Sequence, residues 1–224
     1  MAKTLATTAA LALIAGLGLS SFTQAQTTAP ATTTTEVPAT SATPVVIDPA
    51  TIPDYGIGQI DAKVKIVEYL SFTCPHCAAF HTEVYPQLKA DYIDTGKVRL
   101  EYHEVYFDRY GLWAAMMARC GGEMRYIGIT DILYDTQKDW AASDDPNVVV
   151  ENLKKIGRTA GMDDKTLDAC MKDAPMAEAL VKHFETNMAA DKVEGTPTFI
   201  INGTKHSNMA YDDLKAVLDA ELAK

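Results

Sequence analysis

The chain has 224 residues, a formal net charge of −10 and 47% hydrophobic residues. That length suits one folded domain with an insertion. The excess of negative charge argues against nucleic acid and anionic membranes as partners.

The N-terminus has the three parts of a secretory signal. Lys3 gives a basic start, residues 5–19 form a short apolar stretch, and the small residues Thr23 and Ala25 precede a cleavage point. The stretch is too short and too rich in Ala, Gly and Thr to favour a permanent span, although an uncleaved anchor is the alternative. We therefore assign residues 1–25 to a signal peptide and expect export to a bacterial periplasm, where disulfides persist.

A segment rich in Thr, Ala and Pro follows the signal. Residues 26–44 contain Glu36 as their only charged residue and show no apolar periodicity. Such a composition cannot bury enough surface to become ordered. We assign residues 26–52 to a flexible leader and residues 53–224 to the folded domain.

A strand-like run over residues 64–72 leads into Cys74-Pro75-His76-Cys77, and a helical pattern follows over residues 78–88. A strand, a Cys-x-x-Cys pair and a helix start form the arrangement of a thioredoxin-like redox site. The free N–H groups and partial positive charge of a helix start favour a thiolate at Cys74. Pro75 suits the first helical position, and His76 can donate to the sulfur or stabilise its charge. A stabilised thiolate favours the reduced form, so the disulfide becomes a strong oxidant.

Other uses of a Cys-x-x-Cys pair fit the sequence less well. A zinc site needs two further ligands, and the chain has no second pair of this kind. A c-type haem site needs His directly after the second cysteine, where this chain has Ala78. Binding of Cu(I) by Cys74, Cys77 and His76 stays open, because thiolates suit a soft ion. The pattern predicts a redox pair without a cofactor or metal.

Glu68 lies six residues before Cys74 on the mostly apolar strand. A carboxyl beneath the disulfide could relay the proton of Cys77 when that thiol attacks or leaves. The other interpretation is an ordinary strand carboxylate that faces water.

The next elements are a second strand over residues 97–106, which alternates and is rich in β-formers, and helical patterns over residues 111–191. This predicts a helical insertion between the second and third strands. Cys120 and Cys170 lie 50 positions apart within it. In an oxidising compartment an even number of cysteines favours a structural disulfide between them, with two separate buried thiols as the alternative.

Thr196-Pro197 begins the third strand, which an Asn-Gly turn connects to a short partner strand. An amphipathic helix over residues 211–222 ends the chain. A cis bond before Pro197 would place the Thr196 backbone beside the Cys74 sulfur and offer its polar groups to an extended substrate. The other interpretation is a proline that is tolerated at a strand start.

These motifs together resemble the DsbA family of bacterial thiol:disulfide oxidoreductases. They are Cys-Pro-His-Cys after a Glu-x-x-Ser-Phe strand, a long helical insertion, and Gly-Thr-Pro-Thr-Phe before an Asn-Gly hairpin. The resemblance runs from about residue 61 to the C-terminus. Cys120 and Cys170 make the chain more similar to alphaproteobacterial members, and His81 lies where the enterobacterial enzyme has an acid.

The resemblance implies an α/β thioredoxin-like fold with an inserted helical domain. It also implies that Cys74 is the nucleophile, Cys77 its buried partner and Glu68 the acid beneath them, and that the bond before Pro197 is cis. We therefore expect a monomeric, exported oxidase that acts on reduced, unfolded or folding polypeptides and is reoxidised by a membrane partner. The alternatives are a disulfide isomerase or reductase that is kept reduced, and a periplasmic Cu(I)-binding protein.

Overall fold

The computed structural model describes residues 45–224. The predicted signal peptide, residues 1–25, and the leader before residue 45 lie outside these described residues. None of the helices from residue 45 onward combines the length and the apolar character that crossing a bilayer requires.

The described chain contains a mixed five-stranded sheet with the order β1-β3-β2-β4-β5. Its strands are β1 (Gly56–Ile57), β2 (Val64–Leu70), β3 (Val98–Glu104), β4 (Thr198–Ile201) and β5 (Thr204–Ser207). The central strands β2 and β3 are parallel, and the other neighbouring pairs are antiparallel. The sequence predicted every strand except β1, whose two residues are too few to show a period.

Between β2 and β3 the chain forms α1 (Pro75–Glu83), α2 (Tyr85–Leu88) and a π-helical turn (Lys89–Ile93). The helix predicted over residues 78–88 therefore starts three residues earlier and is interrupted at Val84. Pro86 explains the interruption, because it has no N–H to donate to the carbonyl of Thr82.

The helical insertion lies between β3 and β4, which are the second and third of the predicted strands. Its helices are α3 (Arg109–Cys120), α4 (Glu123–Asp135), α5 (Gln137–Trp140), α6 (Pro146–Thr159), α7 (Asp164–Met171) and α8 (Ala174–Ala190), and α9 (Tyr211–Leu222) ends the chain. Aspartates accept hydrogen bonds from free N–H groups at the start of four of them: Asp108, Asp145, Asp163 and Asp173.

Alternate residues of β2 pack into two different cores. Ile66 and Leu70 belong to the main core, whereas Tyr69 packs in a smaller cluster with Phe184 of α8. Because side chains alternate between the faces of a strand, Glu68 shares the face of Ile66 and Leu70. The strand period therefore directs the Glu68 carboxyl into the main core.

The structure corrects the boundary of the leader, which we predicted over residues 26–52. Pro49–Thr51 forms a short 3-10 turn that Asp48 caps, and Ile52 is buried in a cluster with Leu180 of α8. The apolar partner on α8 is distant in sequence, so composition alone could not reveal that this end of the segment packs.

Candidate active site

The two motif cysteines lie where β2 passes into α1. Cys74 caps α1 with an extended backbone, and Pro75 takes the first helical position. The amide of Cys74 donates to the carbonyl of Ser71 over 3.0 Å, which closes the turn between strand and helix. Both thiols are free; Cys74 is partly exposed, whereas Cys77, in the first turn of α1, is 0% exposed.

The surroundings of the two thiols shift their pKa values in opposite directions. A hydrogen bond from the Cys77 thiol is the main reason that the pKa of Cys74 falls from 9.0 to about 5, and Thr196 and the backbone N–H groups of Cys77 and His76 add to it. Partial burial works against this shift. Burial raises the pKa of Cys77 far above 9.0, and the hydrogen bond to Cys74 and the charge of Glu68 raise it further. Cys74 is therefore a thiolate at neutral pH and Cys77 is a thiol.

The loop before β4 lies against the sulfur of Cys74. The Thr196-Pro197 bond is cis, and the Sγ atom of Cys74 lies 3.4 Å from the carbonyl oxygen of Thr196. β4 pairs with β2, with Thr198 opposite Tyr69. The same strand pairing thus holds the loop beside the motif that follows β2.

Glu68 is buried with a histidine beneath the cysteines. The carboxyl is 0% exposed, and the Nε2 atom of His81 lies 3.1 Å from Oε1 and 3.2 Å from Oε2. The His81 ring stacks on Tyr134, with 4.2 Å between centroids. This geometry excludes the interpretation that Glu68 is a strand carboxylate facing water. It also shows that His81, which lies where the enterobacterial enzyme has an acid, contacts the Glu68 carboxyl.

His76 and Pro75 are exposed at the surface of the motif. His76 acts on the Cys74 sulfur through its backbone N–H. Among residues 45–224 no hydrogen bond joins its imidazole to that sulfur. The sequence predicted that the imidazole of His76 donates to the Cys74 sulfur or stabilises its charge. In this structure the backbone N–H of His76 makes the contact.

A family model described as Thioredoxin matches residues 50–220. The chain belongs to the thioredoxin family. A Bacillus cereus relative assigned as disulfide bond formation protein D is 30% identical over 187 residues, covering 75% of this chain and 78% of the relative. A Rickettsia bellii relative assigned as a protein-disulfide oxidoreductase is 34% identical over 167 residues, covering 74% of this chain and 63% of the relative. The chain thus spans less than two thirds of the length of the Rickettsia relatives.

Solved structures confirm the predicted fold. Wolbachia pipientis alpha-DsbA1 superposes with a TM-score of 0.70 at 24% identity, covering 78% of this chain and 94% of that chain. BdbD from Bacillus subtilis superposes with a TM-score of 0.68 at 21% identity, covering 76% and 94%. The chain therefore has the fold of these two structures, with the inserted helices that the sequence predicted.

The insertion supports the motif through residues that the sequence does not reveal. The buried side chain of Gln137, on α5, donates to the carbonyl of Phe72 over 2.8 Å and to that of Cys74 over 3.0 Å. The Thr73 hydroxyl donates to Asp108, the cap of α3, over 2.6 Å. These contacts join positions at least 35 residues apart, so no local pattern could have predicted them.

The other two cysteines are joined far from the motif in sequence. A disulfide links Cys120 at the end of α3 to Cys170 in α7. α3 also packs against α4, α6 and α8. The bond therefore fixes two helices of the insertion to each other and leaves the redox pair untouched.

No group of three or more His, Cys, Asp or Glu side chains within residues 45–224 is arranged to hold a metal ion. Cys74 and Cys77 are the side chains that could offer two thiolates to a soft ion. The high pKa of Cys77 disfavours its thiolate, so such binding would have to displace a proton.

Proposed function

We propose that this chain is an exported thiol-disulfide oxidase that transfers the Cys74–Cys77 disulfide to reduced, unfolded or folding polypeptides. The observation that carries the proposal is the contrast between the thiols, with the pKa of Cys74 at about 5 and that of Cys77 raised by burial. A stabilised Cys74 thiolate favours the reduced form, so the disulfide is readily transferred to a substrate. The names assigned to the Rickettsia and Bacillus relatives support the same chemistry.

The transfer takes two exchange steps. A substrate thiolate attacks Sγ of Cys74, a mixed disulfide forms, and the bond to Cys77 breaks. A second substrate thiolate then attacks the substrate sulfur of the mixed disulfide, and Cys74 leaves as a thiolate. Two electrons pass from the substrate to the chain. A leaving thiol of low pKa departs faster, so the acidity of Cys74 favours its release in the second step.

Cys77 needs a proton when it leaves and must lose it when the disulfide forms again. Its high pKa means that a thiolate there is short-lived. We assign the relay of this proton to Glu68, whose charge already acts on Cys77. His81 is a positioning residue, because its imidazole holds both oxygens of Glu68.

The loop at Thr196 and Pro197 is assigned to substrate binding. The Thr196 carbonyl lies within hydrogen-bond distance of the Cys74 thiol, so a substrate bonded to Cys74 would run alongside this loop. An extended segment could pair with the free backbone groups there in the manner of an added strand.

The compartment and the partners follow from the signal peptide and the disulfide chemistry. We place the mature chain in the periplasm as a monomer, with a membrane partner that reoxidises Cys74 and Cys77 and without nucleic acid as a partner. An isomerase or reductase would use the same atoms but start from the reduced pair. The direction therefore depends on the relative stability of the two redox forms.

Disulfide transfer is tested with a reduced, unfolded protein that has two cysteines. One equivalent of oxidised chain should convert it to its disulfide form in a single turnover, followed by mass spectrometry after acid quenching. Mixed with the disulfide form of the same substrate, Cys77→Ala should accumulate a mixed disulfide, because the Cys74 thiolate opens the substrate disulfide and no Cys77 thiol is present to resolve the product. The matched variant Cys74→Ala should accumulate none. Equal trapping by the two variants, or no transfer by the oxidised chain, would contradict the proposed function.

A further inference from the structure

A cavity of about 540 Å³ opens beside the loop that contacts the nucleophile. Its walls include His76 from the motif, Thr196 and Pro197 from the loop, and the neighbouring residues Lys192 and Lys205. A polypeptide attached to the Cys74 sulfur would therefore extend across the mouth of this cavity.

The cavity carries positive charge on an acidic protein. Lys192 and Lys205 are exposed, and His206 joins them in the wall, which also contains the carboxylate of Glu194. Among residues 45–224 neither lysine lies within 4.0 Å of a carboxylate oxygen, whereas several surface lysines elsewhere do. The two ammonium groups are thus available to a carboxylate from outside the chain.

The two lysines are held in place by one contact and one turn. The Lys205 ammonium donates to the carbonyl of Lys192 over 2.7 Å, which leaves two of its three N–H bonds free. Lys192 follows the end of α8 with φ of 52°, in the left-handed region that favours Gly and Asn. A lysine at a position where Gly or Asn would be less strained suggests that its side chain contributes there.

We infer that this cavity selects substrate segments that carry Asp or Glu close to the cysteine being oxidised. The inference rests on the proposed function and adds the substrate class. An extended peptide advances about 3.3 Å per residue, so side chains two or three residues from the bonded cysteine reach about 7–10 Å along the cavity. Complementary charge at that distance raises the rate of encounter more than the final affinity.

The test uses synthetic peptides with a single cysteine and two charged residues placed two and three positions before it, or the same distance after it. Each placement is made with Glu and with Lys, and the second-order rate of mixed-disulfide formation with the oxidised chain is measured. Every rate is divided by the rate of the same peptide with the uncharged hydroxyethyl disulfide, because neighbouring charges alter the acidity of the peptide thiol itself.

At low ionic strength we expect the Glu peptide of at least one placement to react about fivefold faster than its Lys counterpart, the size that two exposed ion pairs allow. The preference should fade near 1 M salt, where the Debye length is about 3 Å. Lys192→Asn, which keeps the left-handed turn, combined with Lys205→Gln should bring the ratio of the two rates to about one.

Lys165→Gln with Lys172→Gln is the matched control, because it changes the net charge equally at exposed lysines outside the cavity. It should keep the full preference. Equal normalised rates for Glu and Lys peptides at both placements, or a preference that survives the loss of Lys192 and Lys205, would overturn this inference alone. An oxidised chain that reacts with no peptide would overturn the proposed function.

Discussion

His81 and Glu68 form a buried pair in which one imidazole nitrogen contacts both oxygens of one carboxyl, at 3.1 and 3.2 Å. An ionised carboxylate only accepts hydrogen bonds, so Nε2 of His81 is the donor. The other nitrogen, Nδ1, is buried without a hydrogen-bond partner among the described residues. Among the described residues the imidazole therefore hydrogen-bonds only to Glu68, and it supplies the donor that the buried carboxylate needs.

This pair predicts strong coupling between two substitutions. His81→Phe keeps an aromatic ring against Tyr134 but leaves the Glu68 carboxylate without its donor, so we expect a loss of about 3 kcal/mol in the free energy of unfolding. Glu68→Gln removes the charge, so adding His81→Phe to it should cost at least about 1 kcal/mol less. Denaturant unfolding of the reduced protein at pH 7 measures the cycle. Additive effects of the two substitutions would mean that the pair does not interact as described.

Gln137 predicts that the insertion stabilises the redox motif. Gln137→Ala leaves the carbonyls of Phe72 and Cys74 without this donor, and we expect it to lower the free energy of unfolding by about 2 kcal/mol. Gln87→Ala is the control, because the side chain of the exposed Gln87 bonds only to the Glu83 carbonyl four residues before it, and its loss should cost less than about 0.5 kcal/mol. Similar urea midpoints for the two variants would contradict a special role for Gln137.

The Cys120–Cys170 disulfide predicts a loss of stability without a loss of redox chemistry. Closing a loop of 50 residues restricts the unfolded chain, which contributes about 4 kcal/mol in the chain-entropy model. Replacing both cysteines with Ala should lower Tm by about 10 °C and leave the rate of reaction of Cys74 with glutathione unchanged. Calorimetry measures the loss of stability, and stopped-flow kinetics measures the reaction rate of Cys74. An unchanged Tm would contradict a stabilising role of the disulfide.

The acidity of Cys74 predicts that the reduced protein melts at a higher temperature than the oxidised protein. The pKa of Cys74 is lowered from 9.0 to about 5 in the folded reduced state. A lowered pKa stabilises the folded protein fully above the unfolded value, and this stabilisation is lost as the pH falls through the folded value. The difference in Tm between the redox forms should therefore be large at pH 7 to 8 and should shrink as the pH falls to about 5 and below. A difference that stays constant from pH 8 to pH 4 would exclude Cys74 as its source.

The fold could be predicted largely from local signals. The period of β2, the cysteine spacing and the caps before Pro146 and Asp164 all act within a few residues, and the structure has the corresponding elements. The two residues of β1 are too few to show a period. The helix predicted over residues 78–88 is interrupted at Val84 because Pro86 removes a hydrogen bond from the preceding turn.

The site was harder to predict where it depends on contacts between distant residues. The spacing of Cys74 and Cys77 is local, but Gln137 reaches the motif from 63 residues away. In the sequence His81 stands out only because the enterobacterial enzyme has an acid at this position. Its contact with Glu68 forms when α1 packs on β2. The same holds for Lys192 and Lys205, which are ordinary surface lysines in the sequence and share a wall only after folding.

The equilibrium redox potential of the Cys74–Cys77 pair against glutathione tests the central claim most directly. If the stabilised Cys74 thiolate makes the chain an oxidase, the potential should be more oxidising than about −180 mV. Trapping the pair in glutathione buffers of graded composition and separating the two forms after alkylation gives the value. A potential near about −270 mV, in the range of reductases, would contradict the account.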